Sequence, residues 1–207
     1  MKNLFKQPIV ILANGVFPQH EKPLSILSSA GTVICTDGSA NYLKSLSLKP
    51  HVIIGDLDSI KHKDSFEGLL IDDSNQNNTD LEKAIEFSIM NAQKKIFIVG
   101  AVGGRDDMSY ANIQLLFKYY GKIEIKIITD YFSIECVSGK KVFTSFNGQR
   151  VSLALQKHNC IINTSNLKYN INGKIDSSVS LISNESLGKE FALSSSDPLI
   201  VFRGHNK

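Results

Sequence analysis

The stretch Val52-Ile53-Ile54-Gly55-Asp56-Leu57-Asp58-Ser59 sets a short apolar, β-prone run directly before two carboxylates one residue apart. A run of this kind is a strand, and a D-x-D at its end presents both acids on or near the rim of a sheet. The same pattern recurs on either side. Ile9 to Ala13, Val33 to Thr36, Ile96 to Val99 and Ile123 to Thr129 are further apolar runs, with helical patterns between them. This alternation predicts an α/β domain with a mostly parallel sheet over residues 1–130.

Two helices are readable in that half. Thr79 and Glu82 form a T-x-x-E capping box, followed by Leu81, Ala84, Ile85, Ile89 and Ala92 on one face. Met108, Ala111, Leu115, Leu116 and Tyr119 recur at helical spacing before Gly121, a natural stop. Asp80 and Asp107 therefore sit at helix starts, on the side where an open α/β sheet delivers the carboxyl ends of its strands. Beyond Asp130 the pattern changes to short β-like runs: Phe132 to Val137, Val142 to Phe146, Val151 to Leu155, Asn166 to Ile171, Val179 to Ile182, Glu190 to Leu193 and Leu199 to Phe202. Asn172-Gly173 reads as a hairpin turn, and Ser138-Gly139, Asn147-Gly148 and Asp197-Pro198 as further punctuation. Residues 131–207 are expected to form a small all-β sandwich domain.

The chemistry lies with the acids. Asp37, Asp56, Asp58, Asp80 and Asp107 all fall at predicted strand ends or helix starts in the first half. Most loop aspartates only cap turns, and a lone D-x-D is read that way first. Five at corresponding positions are a different matter. Two carboxylates about 5 Å apart repel by roughly 3 kcal/mol at an effective dielectric near 20, so a cluster calls for a cation. Magnesium suits it, because it takes oxygen ligands and keeps substrate phosphates in its shell. Gly100-Ala101-Val102-Gly103-Gly104-Arg105 leads from a strand into the Asp107 helix and could approach a phosphate, although it is neither a Walker loop nor a dinucleotide fingerprint.

Set in order, Thr36-Asp37-Gly38-Ser39-Ala40-Asn41, Gly55-Asp56-Leu57-Asp58-Ser59, Gln76 with Thr79-Asp80-Leu81-Glu82-Lys83, and Gly103-Gly104-Arg105 with Asp107 and Asn112 resemble the thiamine pyrophosphokinase family. Leu167-Lys168-Tyr169 and Ile182-Ser183-Asn184-Glu185 are similar to that family's thiamine-binding segment. The resemblance implies transfer of the diphosphate of ATP to the hydroxyl of thiamine, giving thiamine diphosphate and AMP, with magnesium required. It also implies a homodimer in which the α/β domain of one subunit binds ATP and the β domain of the other completes the thiamine pocket. Carried over residue by residue, Asp56, Asp58 and Asp80 would hold magnesium, with Asp107 completing the acidic ring and Arg105 stabilising phosphate charge. Asp37 and Asn41 would shape the nucleotide side, Gln76, Thr79 and Asn112 would touch substrate, and Tyr169, Ser183 and Asn184 would receive thiamine. Met108 departs from the family, which usually places His or Gln there. Two other readings remain: a nucleotide-sugar or nucleotidyl transferase built on the D-x-D, and a thiamine- or nucleotide-binding protein without turnover.

Composition agrees with a soluble globular protein: 42% hydrophobic and 21% charged residues, with 23 basic against 20 acidic and no basic run that reads as a nucleic-acid tail. Lys2 and Lys6 precede an apolar run, but Ile9 to Ala13 is too short for a signal peptide, and no window reaches membrane-span length. Cys35, Cys136 and Cys160 are odd in number and lack zinc-like spacing with His20, His51, His62, His158 or His205. Buried thiols in a reducing, cytoplasmic compartment are expected.

Overall fold

The computed structural model describes residues 5–43, 47–60 and 66–206; Lys2 and His62 lie outside them. The chain separates into two compact units, residues 1–115 with 121–130, and residues 116–120 with 131–207.

In the first unit, β1 (Ile9–Leu12), β2 (Thr32–Thr36), β3 (Val52–Gly55), β4 (Leu69–Asp72), β5 (Lys95–Val99) and β6 (Glu124–Ile128) form a sheet in the order β6-β5-β1-β2-β3-β4. Every pairing in it is parallel. Residues of β1, β2 and β3 are all buried, which is why these strands read as unbroken apolar runs. Helix α1 (Glu21–Ser28) and the short α2 (Ala40–Leu43) precede β3, and α3 (Asp80–Met90) and α4 (Asp106–Lys118) follow β4 and β5. Neither α1 nor β4 was legible. Pro23 sits in the first turn of α1, where a missing N–H costs nothing, but in the sequence it interrupts the helical pattern. Strand β4 is a half-exposed edge strand of four residues, and its apolar run Leu69-Leu70-Ile71 is too short to tell a strand from a turn of helix.

Helix α3 begins as predicted. Thr79 is its N-cap, and its hydroxyl accepts a hydrogen bond of 3.2 Å from the backbone N–H of Glu82. Thr79→Ala is expected to lower stability by about 1 kcal/mol, read from a urea midpoint, with Thr79→Ser close to wild type.

The second unit contains β7 (Phe132–Thr144), β8 (Arg150–Leu155), β9 (Cys160–Ser165), β10 (Asn172–Ile175), β11 (Asn184–Glu185) and β12 (Glu190–Gly204). All its strand pairings are antiparallel. Phe132 to Val137 and most of Val142 to Phe146, up to Thr144, are parts of one strand, and so are Glu190 to Leu193 and Leu199 to Phe202. Ser138-Gly139 and Asp197-Pro198 mark bends within these strands. Gly139, at φ +71°, stands opposite Ser195, and the β7–β12 register shifts between Ser195 and Leu199. The early half of β12 pairs β9, while its late half pairs β8. Phe143, Phe191, Val151, Leu153, Ile162, Leu193 and Val201 meet in one buried cluster, with Phe143 stacked on Phe191 at 5.0 Å.

Three readings of this half are corrected. Asn172-Gly173 lies in β10, paired with Asn163 and Ile162, and the chain reverses earlier, through Asn166 to Ile171, which is a loop rather than a strand. Asn166 there has φ +64°, and Leu167 N–H is held by the Asn170 side chain at 3.1 Å. Val179 to Ile182 overlaps a 3-10 turn, Ser178–Leu181, started by the Ser177 hydroxyl. Strand β9, missed in the sequence, alternates buried and exposed residues throughout.

The cysteines are free, Cys35 and Cys160 buried and Cys136 partly so. Burial pushes the Cys35 thiol up to about 12, against a small opposing effect of its hydrogen bond with Ser39. The unfolded chain therefore releases this proton first. Its contribution to stability is intact below the ordinary value of 9.0 and is lost as pH rises toward about 12. The urea midpoint should fall above that ordinary value, less steeply in Cys35→Ala than in wild type.

Candidate active site

At the carboxyl end of the parallel sheet, successive strands run outward from β1 through β2 and β3 to β4, and then the chain crosses to β5 on the other side of β1. An open α/β sheet binds ligands where its strand order reverses in this way. The loops leaving β1 and β5 lie side by side there. Gly15 N–H donates to Gly100 O at 2.8 Å and Val16 N–H to Val102 O at 3.1 Å. A Cβ on Gly15 would lie 2.5 Å from Gly100 O, and Gly100 itself has φ +67°, so both glycines are required by the approach of the two backbones.

Beside this crevice, Thr36 of β2 pairs with Ile54 of β3, which brings Asp37 level with Gly55 and next to the D-x-D loop. Asp37, Asp56 and Asp58 each offer a carboxylate oxygen, and these oxygens lie within 4.8 Å of one another. Asp56 and Asp58 are exposed, whereas Asp37 is only 6% exposed and adopts φ +35°, a conformation unusual for a side-chain-bearing residue. Asp37 Oδ1 is buried without a hydrogen-bond partner. Leu57, at φ +60° with its side chain buried, turns the loop so that its flanking acids face outward. Ser59 Oγ donates to Asp58 Oδ1 at 2.7 Å. Three acceptor-only groups, one of them buried with an orphaned oxygen, suit a hard divalent cation that would neutralise them and take the unused acceptor.

The other predicted residues are distributed around this group. Asp80 lies beside it, its Oδ2 3.2 Å from where a Gly55 Cβ would stand, but its Oδ1 is taken by Lys83 at 3.0 Å. Asp37, expected on the nucleotide side, lies with Asp56 and Asp58, and Asp80 stands beside this group. Asp107 is outside the group among the described residues; it pairs with Arg105 through Nε at 3.1 Å and Nη2 at 2.5 Å. These hydrogen bonds hold the Asp107 carboxyl below the usual carboxylate range and the Arg105 guanidinium above its own. Asn41 Nδ2 donates to Ser59 O at 3.0 Å and so braces the D-x-D loop. Asn112, buried, donates to Ala101 O at 2.7 Å and supports the glycine loop from below, with its Oδ1 unpartnered. Gln76 is exposed, and Thr79 is committed to capping. Met108 is half-buried on α4.

Asn14 and Ser109 were missed. Asn14 Nδ2 would meet a Cβ on Gly38 at 3.4 Å, beside Asn41 and Ser59. Its signal was its place directly after the β1 run. Ser109 Oγ accepts from Gly103 N–H at 3.0 Å and donates to Arg105 O at 2.9 Å, one turn before the buried Asn112.

Residues 24–129, just over half of the chain, match the family model described as the catalytic domain of thiamin pyrophosphokinase. The chain belongs to this family. The match runs through β2 to β6 and contains Asp37, Asp56, Asp58, Asp80, Arg105 and Asp107. Thiamine pyrophosphokinase 1 of Oryza sativa subsp. japonica is 31% identical over 128 residues, 49% of this chain; the match spans about half of that relative's length, 48%. Among solved structures, a thiamine pyrophosphokinase from Bacillus subtilis aligns with TM-score 0.79 at 23% identity over 96% of this chain and 99% of the other. Thiamin pyrophosphokinase from Candida albicans aligns with TM-score 0.78 at 20% identity over 95% and 89%. At these identities the likeness is one of fold. It extends well past the catalytic-domain match, through the second unit.

In that unit, the two segments expected to receive thiamine, around Tyr169 and Ser183-Asn184, lie together. Asn184, buried, accepts from Tyr169 N–H at 3.0 Å and donates to Tyr169 O at 2.6 Å, so its amide holds the Tyr169 backbone. Tyr169 is left 64% exposed with the Lys168 ammonium 5.7 Å from its ring centre. Ser183 is exposed at φ +65°, its N–H bonded to Ser152 Oγ at 3.0 Å. Leu167 bridges to Ser186 and closes the pairing of the two segments.

Proposed function

We propose that this protein is a thiamine diphosphokinase, which transfers the diphosphate group of ATP to the hydroxyl of thiamine and releases AMP and thiamine diphosphate. The observation that carries the reading is the Asp37-Asp56-Asp58 group at the sheet rim, inside the segment matched by the catalytic-domain family model. Asp37, Asp56 and Asp58 would hold magnesium, with Asp80 at its edge; bound there, the ion would neutralise phosphate charge and orient the diphosphate for in-line attack.

The chain's own residues supply the remainder. The glycines at 100, 103 and 104 let backbone N–H groups and the start of α4 approach phosphate oxygens. Arg105 is exposed and paired only at the surface with Asp107, so it can exchange that carboxylate for a phosphate at little cost. Asn41 and Asn14 border the rim and are assigned to nucleotide contacts, with Gln76 and Asn112 in lesser substrate roles. Thiamine carries a fixed positive thiazolium. The exposed Tyr169 ring can receive such a cation in place of the Lys168 ammonium, a contact worth about 1 kcal/mol, and Ser183 offers a hydroxyl beside it. The assembly is proposed to be a cytoplasmic homodimer that acts on small molecules.

Incubation with ATP, magnesium and thiamine tests the reading. AMP and thiamine diphosphate should appear one for one. Release of ADP would point to simple phosphoryl transfer, and binding without product to a non-catalytic role; either overturns the proposal.

A further inference from the structure

Lys83, the partner of Asp80, is a buried charge. Its side chain is 5% exposed, and its ammonium donates to Asp80 Oδ1 at 3.0 Å and to Asp73 O at 2.7 Å. Lysine is almost never buried without a reason, because the ammonium must give up its water. The location adds to the cost. Lys83 lies in the first turn of α3, one residue after Glu82, where the helix dipole disfavours a cation. Its helix neighbours Leu81, Ala84 and Ile85 are buried apolar residues, and a methionine at 83 would extend that surface without losing hydration.

The contacts of Lys83 form a closed circuit around the acid group. Asp73 N–H donates to Gly55 O at 2.9 Å, Asp73 O accepts from Lys83, and Lys83 holds Asp80. Asp80 Oδ2 is thereby left facing Gly55, whose Cβ position is also 2.9 Å from Asp37 Cβ. The ammonium thus joins the end of β3, the loop after β4 and the start of α3 at one point. It fixes one oxygen of Asp80 and aims the other at the rim occupied by Asp37 and the D-x-D loop.

We propose that Lys83 is a positioning residue that holds the Asp80 carboxylate at the edge of the Asp37-Asp56-Asp58 group. This rests on the diphosphokinase reading above. The Lys83 ammonium bonds to Asp80 and to Asp73 O rather than to the acids of that group. It acts on turnover through Asp80 and does not build the cation site.

The test uses the full chain carrying Lys83→Met, with Lys83→Gln as a second variant in case the first folds poorly. Three quantities are read: melting temperature, affinity for Mn2+ alone, and kcat for thiamine diphosphate at saturating ATP, thiamine and magnesium. The melting temperature should fall by up to about 10 °C, because Asp73 O and Asp80 Oδ1 lose their donor, while Mn2+ should bind at least as tightly, because a neighbouring positive charge has gone. The kcat should fall about 10-fold or more, since a misplaced group commonly costs up to about 100-fold. Combining Lys83→Met with Asp80→Asn should cost no more than Asp80→Asn alone. Wild-type kcat in both lysine variants, additive losses in the double variant, or a parallel loss of Mn2+ binding would each overturn the proposal. If wild type forms no thiamine diphosphate, the underlying reading fails and the lysine's role with it. If wild type turns over and Asp58→Asn does not, the reading stands and the lysine variants decide Lys83 alone.

Discussion

Asp58→Asn is expected to reduce thiamine diphosphate formation by roughly 10²- to 10³-fold while leaving the melting temperature close to wild type. Asparagine keeps the size of the side chain and an oxygen that can accept from Ser59, which now donates to Asp58 Oδ1 at 2.7 Å. It removes the negative charge. Asp58 is exposed, so the substitution opens no cavity and strands no buried group. It also relieves repulsion among three carboxylates whose oxygens lie within 4.8 Å of one another, which offsets any small loss of stability. What is lost is attraction for the cation, and with it the neutralisation of phosphate charge. The loss should be visible as weaker Mn2+ binding without nucleotide, and in kcat at saturating magnesium. Full turnover in the variant would remove Asp58 from the cation site.

Gly15→Ala is expected to have a comparably large effect by a different route. Its Cβ would lie 2.5 Å from Gly100 O and 2.8 Å from Val102 O, both backbone atoms of the loop leaving β5. Backbone cannot rotate away as a side chain can, so the loops leaving β1 and β5 must separate. The cost is about 1–3 kcal/mol of stability, from the strain and from weakening the 2.8 Å bond between Gly15 N–H and Gly100 O. The larger consequence is displacement of the Gly100 to Arg105 loop from the phosphates, with a fall in kcat/KM of up to about 100-fold. Urea denaturation and steady-state kinetics on the same preparation separate the two effects. Gly104→Ala provides the contrast: nothing stands within 4 Å of its Cβ, and the burden is its φ of +79° alone.

The parallel sheet and the acid pair were legible because their signals are local. Buried strands such as β1 and β3 are dense apolar runs, and Asp56 and Asp58 declare themselves by spacing at the end of one. Asp37 could not be assigned to the same group from spacing. Its membership depends on β2 lying next to β3 with Thr36 opposite Ile54, a register created by tertiary pairing. Asn14 escaped for the same reason, since Leu12 pairs with Cys35 and so sets the β1 loop level with the residues following β2. Asp80 was placed correctly at a helix start, but its partner Lys83 drew no role beyond its place in the Thr79 to Lys83 motif, because burial of an ammonium leaves no mark in the sequence.

In the β unit the errors share one cause. Gly139 and Pro198 are turn-forming residues that here bend long strands, and the sequence offers no rule for telling a bend from a reversal. Asn172-Gly173 was misread in the same way, as a turn where the chain continues in β10. Tyr169 was expected to receive thiamine from its likeness to a family segment. The structure adds a physical reason for its exposure: the buried Asn184 amide grips both backbone groups of residue 169 and leaves its ring outside.

Diphosphate transfer at this rim depends on a divalent cation seated among Asp37, Asp56 and Asp58. Crystals soaked with Mn2+ and measured at wavelengths where manganese scatters anomalously locate that ion directly. A peak within coordination distance of carboxylate oxygens from all three aspartates is the predicted result; a peak confined to other residues, or none at saturating Mn2+ with nucleotide bound, would contradict it.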